Sequence, residues 1–231
     1  MHVFAEFLVW YLVFVFSTTC HEAAHALVAH RGGDDTAYSL GHVTLDPLPH
    51  IRREPFGMVF VPIISFLQLG WMIGWASVPY DPYWGARHPR RRALMSLAGP
   101  AANFLLAGIA LVAIRVLTAA GVFHLGGDGT SVGLVRLPEG YEFSSWLGAT
   151  GLALSVLLQL NIILGLYNLI PVPPLDGAAV VEGFGPSGVR SLYERLRQNP
   201  MLQLLGLLVA WWIFPHIAGP AFGLLAHALY T

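Results

Sequence analysis

Four stretches of this 231-residue chain contain no Asp, Glu, Lys or Arg: residues 56–80, 93–114, 143–175 and 198–231. A helix of about 20 apolar residues fills the hydrocarbon core of a bilayer, so each stretch is long enough to sit in one. A fifth segment, 3–29, is equally apolar apart from Glu6 and the group His21, Glu22 and His25. Its length and its lack of a small-residue cleavage site mark it as an uncleaved first span rather than a signal peptide. Charged residues make up 11% of the chain, against about 25% in soluble domains. Backbone groups in lipid must be satisfied internally, which favours helices. The prediction is an all-α polytopic membrane protein with about 4–6 membrane-embedded helices and a small strand-like or re-entrant element on the cytoplasmic side. It is read as one domain, 1–231, with a core at about 3–177 and C-terminal membrane helices at 200–231.

The net charge of −1 predicts no nucleic-acid partner and no polybasic anchor, but the distribution of charge is informative. All twelve basic residues are arginines, and ten fall in three connecting regions: Arg31, Arg52, Arg53; Arg87, Arg90, Arg91, Arg92; and Arg190, Arg195, Arg197. The positive-inside rule assigns these regions to the cytoplasm of a multi-pass protein of the inner (plasma) membrane. The loop with Asp128, Arg136, Glu139 and Glu142 then lies on the opposite side. A single crossing by 56–80 would put one arginine group outside. Pro62, Gly70 and Gly74 therefore predict two short helices that enter and leave on the same side.

Segment 3–30 reads as one helix, ended by a turn at Arg31-Gly32-Gly33-Asp34-Asp35. Weak alternation over 38–48, closed by Asp46-Pro47, predicts short extended pieces. Segment 93–114 crosses outward and 146–170 crosses back. Pro171, Pro173 and Pro174 then break the helix, because three donors are lost in four residues. A last apolar unit starting at 201–214 reads as interrupted by Pro215, Gly219 and Pro220. Gly99, Gly108 and Gly165 read as close helix contacts, and Trp10, Trp84, Trp146, Trp211 and Trp212 as interface anchors or packing. His42, His50, His88, His124, His216 and His227 read as loop or interface residues without a metal role. The lone Cys20 excludes a disulfide within the chain.

The chemistry concentrates in His21-Glu22-Ala23-Ala24-His25. Histidines at i and i+4 share a helical face and can offer ring nitrogens to one zinc ion. Glu22 is then placed to take a proton from a water acidified at that metal. Three ionisable groups within five residues of a membrane span are costly, about 2.5 kcal/mol or more for a charged acid at mid-bilayer, and a metal gives them a common reason. Catalytic zinc takes three protein ligands. His30 has the wrong spacing for the third, and Glu54, flanked by Arg53 and Pro55, reads as solvated. Asp176, closing an uncharged run, is the better candidate.

His21–His25 in a membrane helix, followed much later by Asn168-Leu169-Ile170-Pro171-Val172-Pro173-Pro174-Leu175-Asp176-Gly177, resembles the site-2 protease family of intramembrane zinc metalloproteases. The second element matches N-x-x-P-x-P-x-L-D-G at all six fixed positions, and Gly99-Pro100-Ala101-Ala102-Asn103 is similar to the family's G-P-x-x-N. The likeness is to the short bacterial type without PDZ or CBS module. It implies one Zn2+ per chain on His21, His25 and Asp176, with Glu22 as general base and later proton donor. It further implies Asn168 on the substrate backbone or developing oxyanion, and Asn103, Pro171 and Pro173 as structural residues near the site. Trp75–Pro82 is similar to a segment of the short members, with Ser77 and Asp81 where Lys and Asn are often found.

The resemblance implies hydrolysis of peptide bonds within or near transmembrane helices of single-pass proteins, with the lipid bilayer as the working environment. Substrate filtering is left to the membrane core, the 47–80 region or a regulatory membrane partner. A silent scaffold of the same fold would lack Glu22 or a ligand. An ion-conducting protein would spread polar groups along several helices rather than gather them in two short motifs.

Overall fold

The computed structural model describes residues 2–126, 133–137 and 146–230. The protein is an all-α polytopic membrane protein, and four of its helices are long and apolar enough to cross a membrane. These are α1 (His2–Arg31), α6 (Pro89–Ala119), α7 (Trp146–Asn168) and α10 (Pro200–Tyr230). Between them lie α2 (Thr36–Ser39), α3 (Pro47–Arg53), α4 (Val61–Leu69) and α5 (Pro82–Arg87), then α8 (Asp176–Phe184) and α9 (Ser187–Gln198) after α7. The one sheet among the described residues is a two-residue antiparallel pair, β1 (His124–Leu125) with β2 (Val135–Arg136). Asp128, Glu139 and Glu142 of the loop expected on the far side lie outside the described residues.

Helices α1, α6 and α7 pack against one another as the core. Trp10 and Phe14 of α1 meet Leu152 and Val156 of α7, closed over by Met58, Phe66 and Met72. Ala107 and Ile114 of α6, Leu158 of α7 and Leu225 and Leu229 of α10 form a second cluster. Helix α10 is otherwise largely exposed, as a helix bordered by lipid would be.

Three expectations need correcting. The 38–48 region is not strand-like: it holds a helical turn, bends and the start of α3. The cause is local hydrogen bonding by two aspartates. Asp34 Oδ1 accepts from the Thr36 N–H and hydroxyl at 3.0 and 2.6 Å, starting α2. Asp46 Oδ1 accepts from Leu48 N–H at 2.9 Å with Pro47 at N1, so the pair that read as a strand terminator is a helix start. The 56–80 region is not two helices either. A π-helical turn, Phe56–Phe60, leads into α4, which Gly70 ends in the left-handed conformation (φ 73°). The chain then returns extended. Ile73 N–H donates to Ser65 Oγ at 2.9 Å, and Trp75 N–H reaches the Gly57 carbonyl at 3.1 Å. The return is possible because Gly57 and Gly74 meet without side chains; a Cβ on either would strike the other arm's backbone. Third, α10 runs unbroken through Pro215, Gly219 and Pro220. Each proline removes one donor, a loss that membrane helices tolerate.

The arginine regions converge. Arg91 Nη1 donates to the Gly32 carbonyl at 3.0 Å, joining the first region to the second. Arg92 and Arg197 both pair with Glu182, joining the second to the third. With Cys20 replaced by Ser, reporter cysteines at positions 53, 88 and 195 should label from one side of the membrane and one at 136 from the other. Labelling of position 88 from the side of 136 would show that 56–80 crosses fully.

Candidate metal centre

His21 and His25 sit one turn apart on the buried face of α1, both at most 6% exposed. Asp176 is the first residue of α8, where the helix N-terminus favours a carboxylate. It reaches that place because the prolines stop α7 at Asn168 and the chain doubles back at Gly177, where a Cβ would strike the Leu169 carbonyl. The three donor atoms form a compact triangle. His21 Nε2 and His25 Nε2 are 2.9 Å apart, and Asp176 Oδ2 lies 3.2 and 3.3 Å from them. Tetrahedral zinc with ligand bonds of 2.0–2.1 Å separates its ligand atoms by about 3.3 Å, so the triangle fits that metal.

The hydrogen bonds outside the triangle make the same case through the tautomers. Asn161 Nδ2 donates to the Leu157 carbonyl, which can only accept, and to Ser17 Oγ, both at 2.8 Å. Its Oδ1 must then accept from Asn103 Nδ2, at 2.7 Å. That turns Asn103 Oδ1 toward His21 Nδ1, 2.6 Å away, so the proton sits on Nδ1. His25 Nδ1 faces the Met95 carbonyl at 2.7 Å with the same result. Both Nε2 lone pairs therefore point at each other and at a carboxylate oxygen. A cation is what reconciles three converging lone pairs.

Glu22, 4% exposed, places a carboxylate oxygen within 4.8 Å of both histidine ligand atoms. Gly99 of α6 backs the triangle: a Cβ there would land on the Nε2 atoms of both histidines. This gives Gly99 a stronger reason than helix contact. Gly165 does pack against the Phe104 ring, whereas Gly108 faces open space.

The centre opens into a cavity of about 350 Å³. Asn168 and Pro173 line it on one side and Ala76, Ser77 and Val78 of the extended return on another. Asn168 Nδ2 donates to the Leu164 carbonyl at 3.0 Å, and Pro171 O accepts from the Tyr193 hydroxyl at 2.8 Å. Asn103 has no exposure and reaches the site through His21 alone. Glu54 stands apart, but it is half-buried and not simply solvated, accepting from the Ser77 hydroxyl at 2.5 Å. His30 pairs with Asp35 at 2.6 Å, away from the centre. His42, in the loop between α2 and α3, and His50 of α3 are buried together, with ring centroids 5.2 Å apart. Asn161 and Ser17 were not singled out from the sequence. A polar residue in each of two apolar spans was the available signal.

Removing the Asn103 amide should weaken metal binding without removing a ligand. Partners that orient a zinc-bound histidine contribute about 10- to 100-fold in affinity. We expect Asn103→Ala to lose that much zinc affinity in a chelator competition. Asn161→Ala should show a smaller loss in the same direction, because it acts through Asn103.

The family model for peptidase family M50 matches residues 9–211. The chain is 34% identical over 199 residues to "Putative zinc metalloprotease YwhC" of Bacillus subtilis (strain 168), covering 86% of this chain and 78% of that protein. It is 30% identical over 207 residues to "Putative zinc metalloprotease Rip2" of Mycobacterium tuberculosis (strain H37Rv), covering 90% and 67%. No solved structure matches significantly. With a match spanning most of its length, and a histidine–carboxylate triangle of zinc dimensions inside a membrane bundle, the chain belongs to peptidase family M50, the site-2 protease family.

Proposed function

We propose that the protein is an intramembrane zinc endopeptidase that cuts single-pass membrane proteins within or near their spans, in regulated intramembrane proteolysis. The observation that carries this reading is the triangle of His21 Nε2, His25 Nε2 and Asp176 Oδ2, buried in the helix bundle beside Glu22 and open to one cavity. Bound zinc supplies a Lewis acid that acidifies water and polarises a carbonyl. Glu22 takes the water's proton and later delivers it to the leaving amine. Asn168, in the cavity wall, holds the substrate backbone or its oxyanion. The arginine-rich end, where α1 finishes and α8 begins, is the cytoplasmic end of a protein of the inner membrane.

A substrate helix has its amides satisfied internally, so its carbonyls are shielded until it unwinds. The unwound stretch needs new partners, and the extended return offers them. Ala76, Ser77 and Val78 lie along the cavity, and their N–H groups make no backbone hydrogen bond among the described residues. Edge addition of an extended peptide along 76–78 follows. Glycine costs a helix about 1 kcal/mol and proline about 3 kcal/mol, which lowers the barrier to unwinding. In a series of single-span substrates whose Gly and Pro are replaced stepwise by Leu, cleavage should slow as helicity rises. Equal rates for the all-Leu and the Gly/Pro span would refute the unwinding step.

A further inference from the structure

Beside Tyr80, near the end of the extended return, lies a cluster that the catalytic reading does not use. Arg92 of α6 and Arg197 of α9 both line the cavity, and both pair with the one carboxylate of Glu182 on α8. Arg92 Nη2 is 2.5 Å from Glu182 Oε1, with the Arg92 side chain 8% exposed. Two cations share one anion, so the group carries one uncompensated positive charge in a largely buried place. Buried charges are costly unless paired and hydrogen-bonded. Arg92 Nε, which is buried, has no hydrogen-bond acceptor among the described residues. Burial and the neighbouring Arg92 guanidinium push the Arg197 pKa below the usual arginine value. The cluster is one acceptor short, and its open side is the cavity.

The spacing relates this group to the bond being cut. Arg92 precedes Met95 by three residues, and Met95 O holds His25. Three residues of helix, about 4.5 Å of rise, therefore separate the arginine from the residue whose carbonyl holds His25. An extended peptide advances about 3.3 Å per residue, so a side chain one to three residues from the scissile bond comes within reach.

Resting on the protease reading, we propose that Arg92 and Arg197 form a carboxylate-binding subsite that selects substrates with an Asp or Glu one to three residues from the scissile bond. Cytoplasmic flanks of membrane proteins are generally rich in Lys and Arg. An excess positive charge in the cavity repels those and admits the acidic minority, so the same pair acts by exclusion as well as by attraction.

The test uses binding, on protein that cannot cleave. Zinc-loaded, full-length Glu22→Gln protein in phosphatidylcholine-containing micelles is titrated with a labelled single-span Gly/Pro peptide. Asp, Asn or Lys is placed in turn at each of the five residues at the cytoplasmic end of its span. One position should bind Asp about tenfold more tightly than Asn, the order expected of a hydrogen bond to a charged group, with Lys weaker than both. Arg197→Gln should close most of that gap, Arg197→Lys should restore part of it, and Arg197→Glu should turn the preference toward Lys. Equal binding of Asp, Asn and Lys at every position would overturn the proposal, as would a preference unchanged in both Arg197→Gln and Arg92→Gln. If phosphatidylglycerol in the micelles abolishes the preference, a lipid phosphate fills the site and the peptide assignment falls. Failure of the wild type to cleave any such substrate would instead sink the protease reading, leaving the binding result to stand separately.

Discussion

Glu22→Gln protein is expected to keep its zinc and its affinity for substrate while turning over 100- to 10,000-fold more slowly, the usual contribution of a positioned base. The amide preserves the shape of a side chain that is 4% exposed, so packing on α1 is undisturbed. What it removes is the ability to accept a proton close to the two histidines. The measurement pairs zinc content by mass spectrometry with single-turnover cleavage in micelles. A variant with normal rates and full zinc would remove Glu22 from the mechanism.

Replacing His21, His25 or Asp176 by Ala should weaken zinc binding by more than 100-fold. Loss of an orienting partner alone costs about 10- to 100-fold, and loss of a ligand costs more. A histidine deletion also orphans a buried acceptor, either Asn103 Oδ1 or the Met95 carbonyl. Glu54→Ala is the control. Its carboxylate is engaged by Ser77, so zinc should be unaffected. Full zinc in Asp176→Ala together with loss in Glu54→Ala would show that the third ligand has been misassigned.

The long helices and the shared face of His21 and His25 were legible in the sequence because both rest on local, one-dimensional rules. An uncharged run reports a span, and histidines four apart report a shared face. Proline and acid placement was harder to read. Asp46-Pro47 is equally compatible with the end of a strand and the start of a helix, and the choice depends on whether Asp46 finds the Leu48 N–H. Pro171 and Pro173 break a helix where Pro215 and Pro220 do not. Pro171-Val172-Pro173-Pro174 loses three donors within one turn, whereas the prolines of α10 are five residues apart. The extended return of 70–81 depends on Gly57 meeting Gly74, a contact between positions that no periodicity links. Asn103 belonged to a motif that placed it near the site, but Asn161 belonged to none. Their meaning lies in a relay across α1, α6 and α7 that appears only once the helices have packed.

The metal triangle draws on two segments separated by about 150 residues of chain, and this gives the centre a history during biosynthesis. Synthesis at 5–20 residues per second puts roughly 8–30 s between the emergence of His25 and that of Asp176. Throughout that interval α1 holds two imidazoles and a carboxyl without Asp176 beside them. Asn103, the partner of His21, emerges midway, so α1 and α6 can pair first and fix one imidazole before α8 exists. A cation that needs all three donor atoms can then be held only once α8 has joined a bundle whose other helices are already in place.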